Sequence, residues 1–325
     1  MPVKKEKYDI IGILPLSIGG RLTMSSIFTG FVNLGHNLII FDELNRPIEE
    51  LLNLFDEKNY DFILGYDFSA LKIKIDHALD INCINYFSDV IEDDHSGSDW
   101  REYYKFLNDS DNYTFYWDKK LCESQKKQIK NIFYLPHFVN TDIYANLGFE
   151  PEYDVMFAGR LDTDFRLDTT IRLMQKFEEQ GFAWYAIRKH FDDAISRRPE
   201  HECLIRKCYR GFIDTEKKMA IAINKAKIVF NFNQQGVGSL NYRTFQTMAC
   251  ERLLLSDYRR EVDDLFTQGE NIICYSNIDD LESKIKFYLE NETERQKIAK
   301  ASRAFVVEKY SSNIGVQKMI EMIEY

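Results

Sequence analysis

The sequence predicts an α/β protein built from two tandem domains, each a parallel sheet flanked by helices. Three observations carry that prediction. The 325 residues exceed one ordinary core, because a domain takes roughly 150 residues. Short apolar runs rich in β-branched residues alternate with segments of helical periodicity, the pattern of strands joined by crossover helices. The stretch 145–153, with Gly, Pro and charge between two apolar runs, divides the alternation in two.

The elements follow in order. Tyr8 to Leu14 is a buried strand ending in Pro15 and a turn-forming Ser17-Ile-Gly-Gly20 loop. Leu22 to Leu34 carries apolar residues at helical spacing and stops at Gly35, before a second strand from Asn37 to Phe41. A helix from Ile48 to Phe55, a strand from Asp61 to Gly65, a helix near 69–79 and a strand from Ile81 to Phe87 continue the alternation. Tyr113 to Trp117 and Ile132 to Leu135 close the first sheet. The second half reads as strands at Asp154 to Ala158, Ala183 to Ile187, Ile228 to Phe232, Leu253 to Ser256 and Ile272 to Tyr275. Its helices are expected at about 168–180, 215–225, 242–250, 259–267 and 279–290. The tail from Glu294 is two helical segments broken near Ser311 to Gly315, the second carrying an apolar stripe of Val316, Met319, Ile320 and Ile323. Two Rossmann-like domains result, 1–148 and 149–311, with the helix at about 312–325 expected to return to the first.

Composition narrows the class. At 45% hydrophobic and 29% charged residues, with 15 Gly and 6 Pro, the chain is neither disordered nor low-complexity. A net charge of −10, spread along the chain, supplies no field for a nucleic-acid backbone, so a nucleic-acid partner is not expected. No apolar run approaches the roughly 20 residues that span a bilayer. The charged start lacks a leader pattern, and the six scattered cysteines lack metal-site spacing, so reduced thiols and a cytoplasmic location are expected.

The chemistry concentrates in two segments. In Phe157-Ala-Gly-Arg-Leu-Asp-Thr-Asp-Phe-Arg166, a strand ends at Gly159, Arg160 follows, and Arg166 comes near a helix start. Guanidinium groups fork onto phosphate oxygens and keep their charge, so this pair suits a diphosphate without a metal. Two solvated arginines are the plain alternative. In the second segment a strand, the loop containing Gly238, Ser239 and Leu240, and a helix starting near Asn241 offer backbone N–H groups and a helix N-terminus to an anion. Arg243 adds charge, with Gln246 on the same face. A loop capped by Ser239 or Asn241 is the alternative there. Asp162-Thr-Asp164 has the form of a divalent-metal motif, but turn chemistry explains those aspartates, and no metal or other cofactor is expected.

Together these segments resemble the donor-binding half of GT-B glycosyltransferases, especially the family 4 group and its CgeB-like (spore-maturation-type) members. The resemblance covers roughly 150–310 and more loosely the first half, through Tyr134-Leu-Pro-His-Phe-Val-Asn-Thr-Asp142. Asn241, Arg243, Phe245, Ala249 and Cys250 match that group's second motif, and Arg160 and Arg166 stand where it holds the diphosphate of a nucleotide sugar. The resemblance implies two domains facing across a cleft, and metal-independent, retaining transfer from a nucleotide-diphosphate sugar to a glycan, lipid, protein or small molecule. Three positions depart from it, Glu251 standing where the group has a glycine. Gln246 replaces a glutamate implied to bind the ribose, and Gly238 a second glutamate near the sugar. A binding protein without activity, and a transferase acting on modified nucleic-acid bases, therefore stay open as alternatives. A sugar-nucleotide epimerase would need carboxylates facing the sugar, and no clear set is visible.

In the first half, the Gly19-Gly20 loop is expected beside the donor, Asp89 as an acceptor-side base, and His95 and His137 as acceptor-side candidates. A helix-starting aspartate and packing histidines are the alternatives, His190 included. The donor base, sugar, acceptor identity and oligomeric state are not set by the sequence.

Overall fold

The structure, a computed structural model, describes residues 5–87, 101–178, 181–233 and 238–324. The chain divides into two compact units, one of Met1–Asn140, Gly236–Ser239 and Lys309–Tyr325, the other of Thr141–Gln235 and Leu240–Glu308.

The first unit alternates as β1 (Asp9–Leu14), α1 (Ile18–Asn33), β2 (Asn37–Asp42), α2 (Ile48–Glu57), β3 (Phe62–Tyr66), α3 (Ser69–Asp76) and β4 (Asn82–Phe87). It continues with α4 (Arg101–Tyr104), β5 (Asn112–Tyr116), α5 (Lys119–Gln125) and β6 (Ile132–Tyr134). Among the described residues these strands form one parallel sheet in the order β2-β1-β3-β4-β5-β6. Helices on its faces explain why the strands read as continuous apolar runs rather than alternating ones. Ile11, Ile13, Ile63, Cys83 and Phe87 lie in its core.

The second unit runs β7 (Tyr153–Ala158), α6 (Asp164–Lys176), β8 (Phe182–Tyr185), α7 (Arg188–Arg197), α8 (Glu202–Cys208), α9 (Glu216–Asn224) and β9 (Ala226–Asn231). After β9 come α10 (Tyr242–Ala249), β10 (Leu253–Asp257), α11 (Glu261–Leu265), β11 (Ile273–Tyr275), α12 (Ile278–Glu290) and α13 (Glu292–Tyr310). Its parallel sheet has the order β11-β10-β9-β7-β8, so the order reverses between β7 and β9. Ligands of such sheets bind outside the carboxyl ends of the strands at that reversal. The final helix, α14 (Ser312–Glu324), belongs to the first unit, where it packs along α1.

Two local expectations are corrected and a third is narrowed. Gly19 and Gly20 are the first turn of α1, not a loop, because Ser17 caps the helix by accepting from Gly20 N at 3.2 Å. Two helices, α7 and α8, fill the span between β8 and α9 that carried no expected helix, and His190 sits on α7. The expected break near Ser311 to Gly315 falls at Ser311, between α13 and α14, and Gly315 lies inside α14. A Cβ there would come within 2.2–2.5 Å of the Phe138 ring, so glycine is required for packing rather than for turning.

The division also falls at Asn140/Thr141 and Glu308/Lys309, where the sequence expectation stood at 148/149 and 311/312. Hydrogen bonds account for the offsets. Asn224 on α9 accepts from Leu147 N and donates to Ala145 O, both at 2.9 Å, tying this stretch to the second unit. Val139 N donates to Tyr310 O and Ser312 N to Val139 O, again at 2.9 Å, which ties 310–312 to the first. Among the described residues no helix is long and apolar enough to cross a membrane.

The α1–α14 contact rests on Gly30, whose added Cβ would meet the Ser312 carbonyl oxygen at 2.5 Å and Val316 Cγ2 at 2.5 Å. Backbone cannot yield as a flexible side chain can. Gly30→Val is therefore expected to destabilise the protein by about 1–3 kcal/mol through overpacking, read as a lowered denaturation midpoint at unchanged m-value.

Candidate functional site

At the reversal of the second sheet, β7 runs into Gly159 and Arg160. Gly159 N donates to Tyr185 O at 3.0 Å and its carbonyl accepts from Trp184 Nε1 at 3.1 Å, so the strand end is fixed. Arg160 is exposed and pairs with Asp162 at 3.5 Å. Thr163 caps α6 by accepting from Arg166 N at 3.2 Å, which sets Arg166 in the first helical turn. From there its guanidinium, only 14% exposed, contacts Asp162 Oδ1 at 3.3 Å, donates to Asn233 O at 3.0 Å, and lies over the Phe232 ring.

Just beyond β9, the same Asn233 carbonyl accepts from Arg259 Nη2 at 3.1 Å. Arg259 follows β10 and is also held by Asp257 at 2.6 Å. Two guanidinium groups thus meet on one neutral oxygen, with a third nearby in the loop after β7. Asn233 itself is buried and locked: its N–H donates to Asp257 Oδ1 at 2.8 Å, its Nδ2 to Ser256 Oγ at 3.0 Å, and its Oδ1 accepts from Asn241 N at 2.8 Å.

Asn241 is the N-cap residue of α10, but its side chain makes no cap bond. It turns back instead, donating to Phe232 O at 2.9 Å and accepting from Asn231 Nδ2 at 2.8 Å. Among the described residues of the preceding loop, the backbone N–H groups expected to face a phosphate have protein partners. Gly238 and Ser239 are grouped with the first unit, where Gly238 N donates to Asp118 Oδ2 at 3.1 Å. Leu240 N donates to Glu261 Oε2 at 2.7 Å, and Asn241 N is taken by Asn233. Side-chain acceptors occupy these donors because a buried N–H without a partner is costly. Ser239 and Leu240 are both buried.

Along α10, Arg243 donates to Gln246 Oε1, and Gln246 Nε2 donates to the Tyr144 hydroxyl. Gln246 and Tyr144 are buried, and burial pushes the Tyr144 hydroxyl well above its ordinary pKa. Burial lowers the Arg243 pKa, though a guanidinium stays charged at neutral pH.

The two aspartates of the Asp162-Thr-Asp164 motif are drawn apart. Asp162 serves Arg160 and Arg166, whereas Asp164 pairs with Arg197 at 2.8 Å, and that hydrogen bond holds its carboxyl below the usual range. In the first unit, Gly19 is exposed while Gly20 is buried, a Cβ there meeting Pro15 and Tyr66 at 2.8 Å. His137 is buried, stacked on Trp117 with ring centroids 5.4 Å apart and hydrogen-bonded to the Tyr86 hydroxyl at 3.1 Å. Burial lowers its pKa to about 3, so it is a neutral packing histidine at pH 7. Asp89 and His95 lie outside the described residues.

The structure therefore brings Gly159, Arg160, Arg166 and Asn241 to one sheet edge, and joins Arg243 to Gln246 on α10. Sequence reasoning missed Arg259, Asn233, Glu261 and Tyr144. Arg259 had a signal: it follows a strand end as Arg160 does, and the strand-end rule applies to both.

Comparison with known proteins agrees with this architecture. A glycosyl transferase-like family model matches residues 176–321. Spore protein CgeB of Bacillus subtilis (strain 168) is 25% identical over 193 residues, covering 55% of this chain and 57% of its own length. The chain thus matches little more than half the length of that curated relative. Among solved structures, HepE of Anabaena, in complex with UDP and glucose, is similar at TM-score 0.71 and 12% identity, over 97% of this chain and 99% of its own. Sucrose-phosphate synthase from Thermosynechococcus elongatus is similar at TM-score 0.69 and 11% identity, over 98% of each chain. At such identities the likeness is one of fold, and that fold is the two-domain, Rossmann-like GT-B fold. Within it, residues 176–321 match the glycosyl transferase-like family model, and the chain is similar in part to a CgeB protein.

Two predictions follow from the buried groups. Glu261→Ala leaves Leu240 N–H buried without an acceptor and is expected to cost about 1–3 kcal/mol, measured by chemical denaturation, with Glu261→Gln milder. For His137 the folded pKa is depressed below the unfolded value of about 6.5, so the unfolded state binds the extra proton. Its contribution is complete above about pH 6.5 and falls as pH drops toward 3. Between pH 6.5 and 5 the loss is expected to be about 2 kcal/mol, and His137→Gln should remove that part of the pH dependence of stability.

Proposed function

We propose that the chain is a glycosyltransferase taking a sugar from a nucleoside-diphosphate donor, with the diphosphate held at the carboxyl edge of the second sheet. The observation that carries this reading is the meeting of Arg166 and Arg259 on the Asn233 carbonyl, with Arg160 nearby in the loop after β7. Like charges held together repel, and the aspartates beside them offset only part of that charge. An anion with several oxygens relieves the repulsion and accepts from the guanidinium N–H groups.

The same groups serve the chemistry. As the glycosidic bond breaks, charge develops on the departing diphosphate, and preorganised guanidinium groups stabilise it without reorganising. Arginines, rather than a divalent cation, balance that charge in this scheme, since Asp162 and Asp164 are engaged in different directions. The Anabaena neighbour was solved with UDP, with UDP and glucose, and with UDP-glucose, which supports a nucleotide-sugar donor here. The acceptor class is a glycan, lipid, protein or small molecule, the outcome retention, and the location the cytoplasm. A second reading, binding without transfer, is favoured by Gly238 and Gln246 standing where the resemblance implies glutamates.

Thermal-shift titration with UDP, GDP, ADP, CMP and their sugars, with and without EDTA, tests the donor site. One nucleotide is expected to raise the melting temperature independently of EDTA. Arg166→Ala and Arg259→Ala should each weaken its binding by roughly 10- to 100-fold, the worth of one charged hydrogen-bond set. No shift with any nucleotide overturns the donor site, and a shift abolished by EDTA overturns metal independence. Slow release of sugar from the bound donor separates an enzyme from a binding protein.

A further inference from the structure

The Arg243–Gln246–Tyr144 chain assigns Gln246 a different part from the one its position in the motif implies. Gln246 is 1% exposed, and both ends of its amide are engaged, Oε1 by Arg243 and Nε2 by the Tyr144 hydroxyl. The orientation is forced. Arginine has no acceptor, so the amide oxygen must face it, and the amide nitrogen is left for the hydroxyl. A side chain so covered presents no atom to a ribose.

Arg243 shows what the amide achieves. Among the described residues no carboxylate comes within ion-pair distance of its guanidinium, and its Nε is buried without a hydrogen-bond partner. No acidic residue stands in the first turn of α10, so the helix itself does not neutralise it. A glutamate at 246 would lie where the amide oxygen now accepts and would form an ion pair.

We infer that Gln246 is a positioning residue: it fixes the Arg243 guanidinium from Tyr144 while leaving that charge uncompensated for the anionic part of the ligand. This rests on the donor reading for what the ligand is, but not for the arrangement itself. The neutral amide thus makes Arg243 a phosphate-directed group, and contact with the ribose falls to other residues.

The test uses the full chain as wild type, Gln246→Glu and Gln246→Met, titrated with UDP, GDP and ADP and with inorganic pyrophosphate, which carries the diphosphate but no ribose. Both variants are expected to weaken pyrophosphate and the selected nucleotide by the same factor, about 10-fold or more, with Gln246→Glu the weaker binder because its carboxylate claims Arg243. If the variants weaken the nucleotide and leave pyrophosphate unchanged, Gln246 touches the ribose and the inference is overturned. If no nucleotide binds the wild type, the donor reading fails, and a ligand-free cycle still decides the arrangement. Gln246→Glu should be better tolerated with Arg243 present than in an Arg243→Met background, by about 2–4 °C in melting temperature. Equal effects in both backgrounds, whatever the ligand result, show that residue 246 does not act through Arg243.

Discussion

The carbonyl of Asn233 collects two guanidinium groups, Arg166 from α6 and Arg259 from the segment after β10, and much of the second unit is arranged so that it can. That oxygen lies just past the end of β9, next to β7 at the reversal of strand order. The Asn233 side chain is pinned to Ser256, Asp257 and Asn241, so the carbonyl has one direction available. Were it free to rotate, the two arginines would separate to lower their repulsion. A rigid neutral acceptor is what keeps two cations adjacent in a partly buried place.

From this the character of the neighbouring segments follows. Among the described residues before α10, the backbone amides at 238, 240 and 241 are already engaged by Asp118, Glu261 and Asn233, which stiffens the backbone ahead of the helix. Arg166 and Arg259 bring their guanidinium groups to the Asn233 carbonyl beside these engaged amides. On α10, Arg243 is oriented by the buried Gln246, which is held in turn by Tyr144.

The strand pattern was legible in the residues because parallel strands covered on both faces must be apolar along their whole length, and runs such as Ile10 to Leu14 or Ile228 to Phe230 are. Helix starts were less legible. Gly19 and Gly20 read as a loop, yet Ser17 caps a helix that includes both, and Gly20 is held against Pro15 and Tyr66, which outweighs the low helix propensity of glycine. The break expected near Ser311 to Gly315 falls at Ser311, and Gly315 sits within α14, where it admits the Phe138 ring.

The sequence by itself determined two parallel-sheet units and the placing of Arg160, Arg166 and Arg243 near strand and helix ends. Those are consequences of periodicity and turn chemistry, which act over a few residues. Tertiary structure alone decided that Arg259, 93 positions beyond Arg166, shares an acceptor with it, and that Tyr144 reaches Gln246. It also decided that Asp162 and Asp164 part company and that His137 is sealed against Trp117. Such contacts join residues far apart in the chain, and nothing in local spacing encodes which distant partner a side chain meets until the sheet has set the strand order.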